Sequence, residues 1–346
     1  MSNVSDFPTT LLHWYGEHGR ELPWRGTGDP YRIWVSEIIL QQTRIEQGRY
    51  YYLRFIEHWP TVETLAAASE DEVLREWQGL GYYSRARNML QAARQITALG
   101  HFPDTLDGLR RLKGVGDYTA AAIGSMAFGI DAAVVDGNVY RVLARVFGID
   151  TPINSTEGKK LFAQLAQEQL PKGHAADFNQ AMMDFGAIQC TPKSPQCPSC
   201  PLAERCDALH TKRTDDLPVK QKKTKVTTRH LLYIYIRCNG QTAIHRRPAG
   251  DIWQGLWEPV MLEDNGSTLK ELSTLRSHLS PLNCLRRGVR HILTHQRLIA
   301  DFYLLNTSQR PTLTPDYIWV DEGDLHQYAV PRLVEHLFNA VGQAIK

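Results

Sequence analysis

The chain has 346 residues, room for two domains with real cores or three small ones. Its 42% hydrophobic and 22% charged residues are the balance of a soluble globular protein. A net charge of +2 excludes reading a nucleic-acid partner from the total, so any basic face must be local.

The N-terminus, MSNVSDFPTT, has neither a basic segment nor a long apolar run, so export is not expected. The longest weakly polar stretch, Ala120–Val135, is broken by Asp131 and too short to span a bilayer. The expectation is a cytoplasmic protein with no membrane partner.

Residues 1–210 read as mostly helical. Asp29-Pro30 opens a helix through IWVSEIILQQ, where Trp34, Val35, Ile38 and Ile39 supply a broad apolar face. Thr43 to Glu46 has capping-box spacing, which predicts one helix ending near Gln42 and the next starting at Thr43. Glu37 then lies inside a helix and Gln42 at its exposed end. Ser69 to Glu72 repeats the capping signal before Val73, Leu74 and Trp77. The stretch Gly79-Leu80-Gly81-Tyr82-Tyr83-Ser84 interrupts the pattern, and Arg85–Leu99 resumes it up to Gly100.

A short helix over Leu106–Arg110 runs into Leu112-Lys113-Gly114-Val115-Gly116, and an alanine-rich helix starts near Asp117. Gly114 and Gly116 are open to turn dihedrals closed to other residues and leave backbone N–H groups uncovered at a helix start. Such a nest suits a phosphate oxygen; a plain helix-turn-helix corner is the other reading. Helices continue over Val139–Phe147, Glu157–Gln169 and Ala175–Phe185, with Gly186 as the stop.

Cys190, Cys197, Cys200 and Cys206 share one short window with spacing C-x6-C-x2-C-x5-C, while Cys238 and Cys284 stand alone. A disulfide framework suits a small exported protein, and neither condition holds. Four thiolates ligate either zinc or a [4Fe–4S] cluster, and geometry alone leaves both open. Lys193 and Arg205 put positive charge beside this loop.

The stretch TKRTDDLPVKQKKTKV is polar and basic and reads as a tether, either simply solvated or facing DNA. Residues 227–346 read as a separate α+β domain. Strands are expected at Leu231–Arg237, Thr242–His245, Leu256–Leu262, Val289–Leu305 and Ile318–Val320, and helices at Thr268–Ser277 and Arg332–Phe338.

Two carboxylates stand out. Asp136 follows the apolar run Ala132–Val135 and precedes a helix whose dipole and N–H groups favour its charged form. Glu37 lies among Trp34, Val35, Ile38, Ile39 and Leu40, where partial burial raises its pKa toward neutral. One carboxyl kept negative and one kept protonatable is the pair that cleaves glycosidic bonds through cation-like transition states. A helix cap and a salt-bridged helix residue are the plainer readings.

LKGVGDYTA (Leu112–Ala120) resembles the hairpin of the endonuclease III superfamily of helix-hairpin-helix DNA glycosylases, and VDGNV (Val135–Val139) resembles its catalytic aspartate segment. LPWR (Leu22–Arg25), SEIILQQT (Ser36–Thr43), LGYYSRARN (Leu80–Asn88), the cysteine spacing and GLWE (Gly255–Glu258) extend the likeness to MutY-type adenine-DNA glycosylases along essentially the whole chain.

The resemblance implies a multidomain fold. An all-α helix-hairpin-helix glycosylase domain would occupy 1–210, with the hairpin at 106–124 and a [4Fe–4S] loop at 190–206. One cluster per chain would sit on Cys190, Cys197, Cys200 and Cys206. A basic linker, 211–226, would lead to an α+β Nudix-like lesion-recognition domain, 227–346. The magnesium-holding carboxylate block of active Nudix hydrolases is missing after Trp257.

Carried over residue by residue, Glu37 would protonate adenine, with a second role in positioning water, and Asp136 would stabilise the sugar cation or form a transient covalent bond to the sugar, with Tyr118 and Asn138 in support. Tyr118 stands where the strand-cleaving branch has a lysine, and a phenol forms no imine, so a monofunctional enzyme is implied. Trp24, Arg25 and Gln180 would line the adenine pocket, while Gln42 and Tyr82 would enter the duplex as the base is flipped out. Gly114 and Gly116 would grip the backbone. Thr294 and His295 fall in the loop that reads 8-oxoguanine, where many members carry Phe-Ser-His and this chain has Leu293-Thr294-His295.

The implied partner is double-stranded DNA with adenine opposite 8-oxoguanine or guanine, bound by a monomer in base excision repair, with the abasic product handed to an abasic-site endonuclease. Another superfamily branch, excising oxidised pyrimidines or thymine from T·G with or without strand cleavage, and a non-enzymatic DNA-binding module are the competing readings.

Overall fold

The computed structural model describes residues 7–221, 226–263 and 282–345. The chain divides into two compact units, Met1–Ala67 with Asn88–Lys222, and Ala68–Arg87 with Lys223–Lys346. Among the described residues no helix is long and apolar enough to cross a membrane.

The first unit is helical. Its helices are α1 (Phe7–His18), α2 (Pro30–Leu40), α3 (Ile45–His58) and α4 (Val62–Ala67), and later α7 (Leu106–Arg110), α8 (Asp117–Phe128), α9 (Gly137–Val146), α10 (Thr156–Gln169), α11 (Ala175–Ile188) and α12 (Asp207–His210). The helix α5 (Glu70–Glu76) belongs to the second unit, and α6 (Ser84–Leu99) carries the boundary between the two. One core joins Phe7, Leu11 and Trp14 of α1 to Val139, Val142 and Leu143 of α9, Phe162 of α10, and Phe178 and Phe185 of α11.

Local chemistry sets several of these boundaries. Asp29 caps α2 by accepting from Tyr31 N at 2.8 Å, and Pro30 occupies the first turn, where its missing N–H costs nothing. From Tyr31 to Ile39 nearly every residue of α2 is buried, Ser36 and Glu37 included. The capping box expected at Thr43 does not form. The Thr43 hydroxyl donates back to Gln41 O at 3.3 Å, α3 begins at Ile45 behind an uncapped Arg44, and Gln42 sits between the two helices with φ +56°.

Gly186 does not end its helix, which runs on to Ile188. A Cβ at Gly186 would lie 2.5 Å from Asn138 Cβ and 3.0 Å from Asn138 Cα, so the glycine is there for close approach to the start of α9. The basic stretch after His210 is also no free tether as far as residue 221. Leu217 is buried in the helical core, Arg145 Nε donates to Leu217 O at 3.1 Å, and Ile153 N donates to Val219 O at 3.0 Å.

The second unit is a mixed sheet with helices. Its strands are β1 (Thr227–Cys238), β2 (Gln241–Arg246), β3 (Trp257–Glu258), β4 (Val260–Glu263), β5 (Asn283–Ile292), β6 (Gln296–Thr307) and β7 (Tyr317–Asp321). They run in the order β3-β2-β1-β6-β5, with β4 paired to β1 and β7 to β2. The β1–β6 pair is parallel over its whole length, and the other pairings are antiparallel. Alternation along β1 sends Leu231, Tyr233 and Tyr235 to one face, against Leu333, Val334 and Leu337 of α13 (Arg332–Ala344). Leu232, Ile234 and Ile236 go to the other.

The single strand expected over Val289–Leu305 is a hairpin instead. Residues 293–295 form the turn, closed by Leu293 N donating to Gln296 O at 2.8 Å, with none of the usual glycine or asparagine turn residues to signal it. The helix expected at Thr268–Ser277 lies outside the described residues.

Residues 68–87, assigned from sequence to the helical domain, instead group with the sheet. Polar contacts account for this: Trp257 Nε1 donates to Asp71 Oδ1 at 3.3 Å, Gln78 donates to Glu335, and Arg87 donates to Gln254 O. The capping box expected at Ser69 is present, with Glu72 N donating to Ser69 Oγ at 3.2 Å and Ser69 N to Glu72 Oε2 at 2.8 Å.

Because Gly186 faces Asn138 without room for a methyl group, Gly186→Ala should force α11 and α9 apart. The expected cost is about 1–3 kcal/mol, read as a lowered Tm; an unchanged Tm would show that the contact has slack.

Candidate active site

A cleft of about 660 Å³ opens in the first unit, lined by Trp24, Arg25, Glu37, Gln42, Gly114, Gly116, Tyr118, Asp136, Asn138 and Gln180, among others. Thus the segment before α2, the α2 helix, the hairpin, the start of α9 and α11 each send residues to one place.

Asp136 arrives there as the N-cap of α9. Its Oδ1 accepts from Asn138 N at 2.9 Å and Val139 N at 2.8 Å, and its Oδ2 accepts from Asn138 Nδ2 at 2.9 Å. The run Ala132–Val135 that delivers it is held by buried Asn179, which accepts from Val134 N at 3.0 Å and donates to Ala132 O at 2.9 Å and Ser125 Oγ at 3.0 Å. Arg141 fixes Asn138 from behind, donating to Asn138 Oδ1 at 2.8 Å, Gly186 O at 2.6 Å and Cys190 O at 2.7 Å.

The expectation that helix N–H groups keep Asp136 charged is met only in part. Burial pushes its carboxyl above the ordinary value, and the Val139 and Asn138 hydrogen bonds with the nearby Arg141 charge hold that rise back.

Glu37 is 7% exposed, inside α2. Burial pushes its carboxyl up to about 7; a hydrogen bond from Tyr118 opposes this, the Asp136 charge adds to it, and Arg25 opposes it. Burial and the Glu37 charge drive the Tyr118 phenol well above its ordinary value, so it keeps its proton and donates. Its hydroxyl also lies 3.4 Å from Met183 Sδ.

Trp24 is buried edge-to-face on Tyr52, with ring centroids 5.2 Å apart, and Gln180 Oε1 accepts from the Tyr15 hydroxyl at 3.0 Å. Gly114 takes φ +77° with Asn88 packed against it, as the turn requires, whereas Gly116 is extended and serves as the N-cap of α8 with open space where a side chain would be.

Tyr82, Thr294 and His295 belong to the second unit. Tyr82 has φ +47° and is 48% exposed, and its hydroxyl bonds Thr294 Oγ1 at 2.7 Å. The Arg85 guanidinium lies 5.7 Å from the Tyr82 ring centroid and 5.1 Å from that of Trp77. His295 is exposed at the hairpin turn, its carbonyl accepting from Thr227 N at 3.1 Å.

Cys190, Cys197, Cys200 and Cys206 line one further cavity, backed by buried Arg145. Arg145 Nη1 lies 3.4 Å from Cys190 Sγ and donates to Thr191 O at 2.8 Å. Among the described residues no three such side chains converge on a point that would hold a single metal ion. Four thiols around one cavity are a donor set that either a tetrahedral zinc or a [4Fe–4S] cluster uses.

Sequence reasoning missed Asp184 and Arg20. Asp184 is wholly buried on α11 and takes both Arg20 and Arg25, whose side chains line the same cleft. The available signal was a lone acid in the apolar run AMMDFGAI.

Residues 35–171 match the model of the HhH-GPD superfamily of base excision DNA repair proteins, and residues 232–340 match the NUDIX domain model. The chain is similar to the adenine DNA glycosylase of Homo sapiens, with 43% identity over 60% of this chain and 40% of that one. It therefore spans about two fifths of the human protein's length. It is also similar to the adenine DNA glycosylase of Buchnera aphidicola subsp. Schizaphis graminum, with 30% identity over 96% of this chain and 97% of that one. Among solved structures it resembles a thermostable thymine-DNA glycosylase, with TM-score 0.56 and 32% identity over 60% of this chain and 97% of that one.

Glu37 also couples stability to pH. Below about 4.5 it is protonated in folded and unfolded chains alike; as pH rises to about 7 the unfolded chain releases a proton that the folded chain keeps, and stability is lost. Glu37→Gln should therefore be more stable than the parent above neutral pH, by on the order of 3 kcal/mol. Urea melts at several pH values should show the gap closing in acid; a gap independent of pH would contradict the buried, protonated state.

Proposed function

The chain belongs to the adenine DNA glycosylase family, and on that footing we propose that it hydrolyses the N-glycosidic bond of adenine mispaired with 8-oxoguanine, or with guanine, in duplex DNA. The observation carrying this is a carboxyl raised to about 7, Glu37, in one cleft with a hydrogen-bonded second carboxyl, Asp136.

The extruded adenine enters the cleft beside Trp24, Arg25 and Gln180. Glu37 hands its proton to the base, the sugar–nitrogen bond breaks with its electron pair leaving on adenine, and positive charge develops on the sugar. Asp136 lies against that cation with its three hydrogen bonds favouring the charged form. Water adds to the sugar carbon, and its proton returns to a carboxylate. Tyr118 keeps Glu37 oriented and supplies no amine, so the product is an abasic site in an uncut strand.

Tyr82 and Thr294 are the proposed readers of the opposite base, with His295 beside them, and Gln42 fills the gap left by adenine. The sheet domain reads rather than hydrolyses: Glu258, the acid of GLWE, is committed to Arg247 at 2.6 Å and to the Tyr233 hydroxyl at 2.9 Å. Cys190, Cys197, Cys200 and Cys206 would hold one [4Fe–4S] cluster, whose part is to close the C-terminal loop of the helical domain and present Lys193 and Arg205 to phosphate. The enzyme would act as a monomer at the bacterial nucleoid, in the cytoplasm, ahead of an abasic-site endonuclease.

On a duplex with adenine opposite 8-oxoguanine, alkali should reveal scission of the adenine strand only, with no cleavage before alkali and no borohydride-trapped adduct. Prompt cleavage would point to the strand-cutting branch instead. Asp136→Asn keeps a capping side chain on α9 and so should fold and bind this duplex while losing adenine release; retained turnover would remove Asp136 from the chemistry. Release by the parent chain should fall as pH rises past about 7, since Glu37 then loses the proton it must deliver. Binding should weaken with salt at a log–log slope of about −0.9 per phosphate neutralised, and a flat dependence would remove the backbone grip.

A further inference from the structure

Asp184 has no assigned part in this chemistry. It sits on α11 between Met183 and Phe185 with no exposure to solvent. A carboxylate there is costly unless it is fully partnered. Its partners are two guanidinium groups. Arg25 donates Nη1 to Oδ2 at 2.7 Å and Nη2 to Oδ1 at 2.8 Å; Arg20 donates Nε to Oδ1 at 2.9 Å, its backbone N to Oδ2 at 3.0 Å, and Nη2 as well. Arg25 Nη1 also donates to Arg20 O at 2.8 Å.

Both arginines line the cleft that holds Glu37 and Asp136. A guanidinium left loose in such a place would pair with a reacting carboxyl, and an ion-paired Glu37 has no proton to give. It would also oppose the positive charge growing on the sugar. Asp184 prevents the first by occupying the donor fork of Arg25, and it offsets the second by cancelling one of the two positive charges.

We propose that Asp184 is a positioning residue: by holding Arg20 and Arg25 on the cleft wall it sets how much of their charge reaches Glu37, and so the pH range in which Glu37 can protonate the leaving base. This rests on the glycosylase reading given above. Tyr118 from α8, Asp136 at the start of α9 and Arg25 from the segment before α2 act on Glu37 directly, and Arg20 acts through the Asp184 carboxylate that it shares with Arg25. Arg25 in turn faces Asp184, Arg20, and the Tyr15 ring of α1 at 5.8 Å, and Asp177 of α11 acts on Tyr15.

The test is the pH profile of single-turnover adenine release by the full chain, on a duplex with adenine opposite 8-oxoguanine. Asp184→Asn keeps the shape and removes the negative charge, so the alkaline limb should move to lower pH by on the order of half a unit or more. Arg20→Gln removes one positive charge and leaves the Asp184–Arg25 pair, so the limb should move the other way. A merely structural role would lower the rate at every pH with the limb unmoved. Limbs that stay in place, or move in the same direction, overturn the proposal. Should Asp184→Asn fail to fold, the direction of the Arg20→Gln limb decides alone. A parent chain that releases no adenine from this duplex is a different failure: it removes the glycosylase reading, and the proposal with it.

Discussion

A carboxyl group cut off from water must either keep its proton or be given donors, and the cleft depends on both solutions side by side. Glu37, inside a helix whose faces are almost all covered, has the Tyr118 hydroxyl and stays protonatable near neutrality. Asp136, at the open end of another helix, has two backbone N–H groups and an amide. The difference between them follows from where each stands along its helix: an interior position has no spare backbone donors, and a cap position has several.

The frame around these groups is built from buried polar side chains rather than from apolar packing alone. Asn179 ties the run before Asp136 to α8 and α11, and Arg141 ties Asn138 to the end of α11 and to Cys190. Asp184 does the same for the segment carrying Trp24 and Arg25. Each makes several hydrogen bonds to backbone, polar side chain or charge that would otherwise be stranded, which stiffens the wall.

Most features that rest on neighbours in sequence were legible, the capping box expected at Thr43 excepted. Asp29 and Ser69 as caps, Asp136 at the head of α9, Glu37 within α2, and the short helix Leu106–Arg110 all follow from residues within a turn of one another. What escaped rests on partners far away in the chain. Gly186 looks like a helix stop until Asn138 is found against it, and Asp184 looks like a stray acid until Arg20 and Arg25 arrive from more than a hundred and fifty residues earlier. The basic stretch after His210 reads as solvated because its anchor, Leu217, is one apolar residue among charges. The residue pattern hid the Thr294 turn, which only the family resemblance placed in a loop, because two long branched strands flank it without a glycine between them.

The grouping of residues 68–87 with the sheet bears on how the molecule is made. On a ribosome this segment emerges long before Gln254, Trp257 and Glu335, to which Arg87, Asp71 and Gln78 bond. At ordinary rates of synthesis the wait is on the order of ten seconds or more, far longer than helix formation takes. Early helices on either side are thus free to form while the stretch between them stays unfinished, and translation has to pass Glu335 before this segment acquires its permanent neighbours.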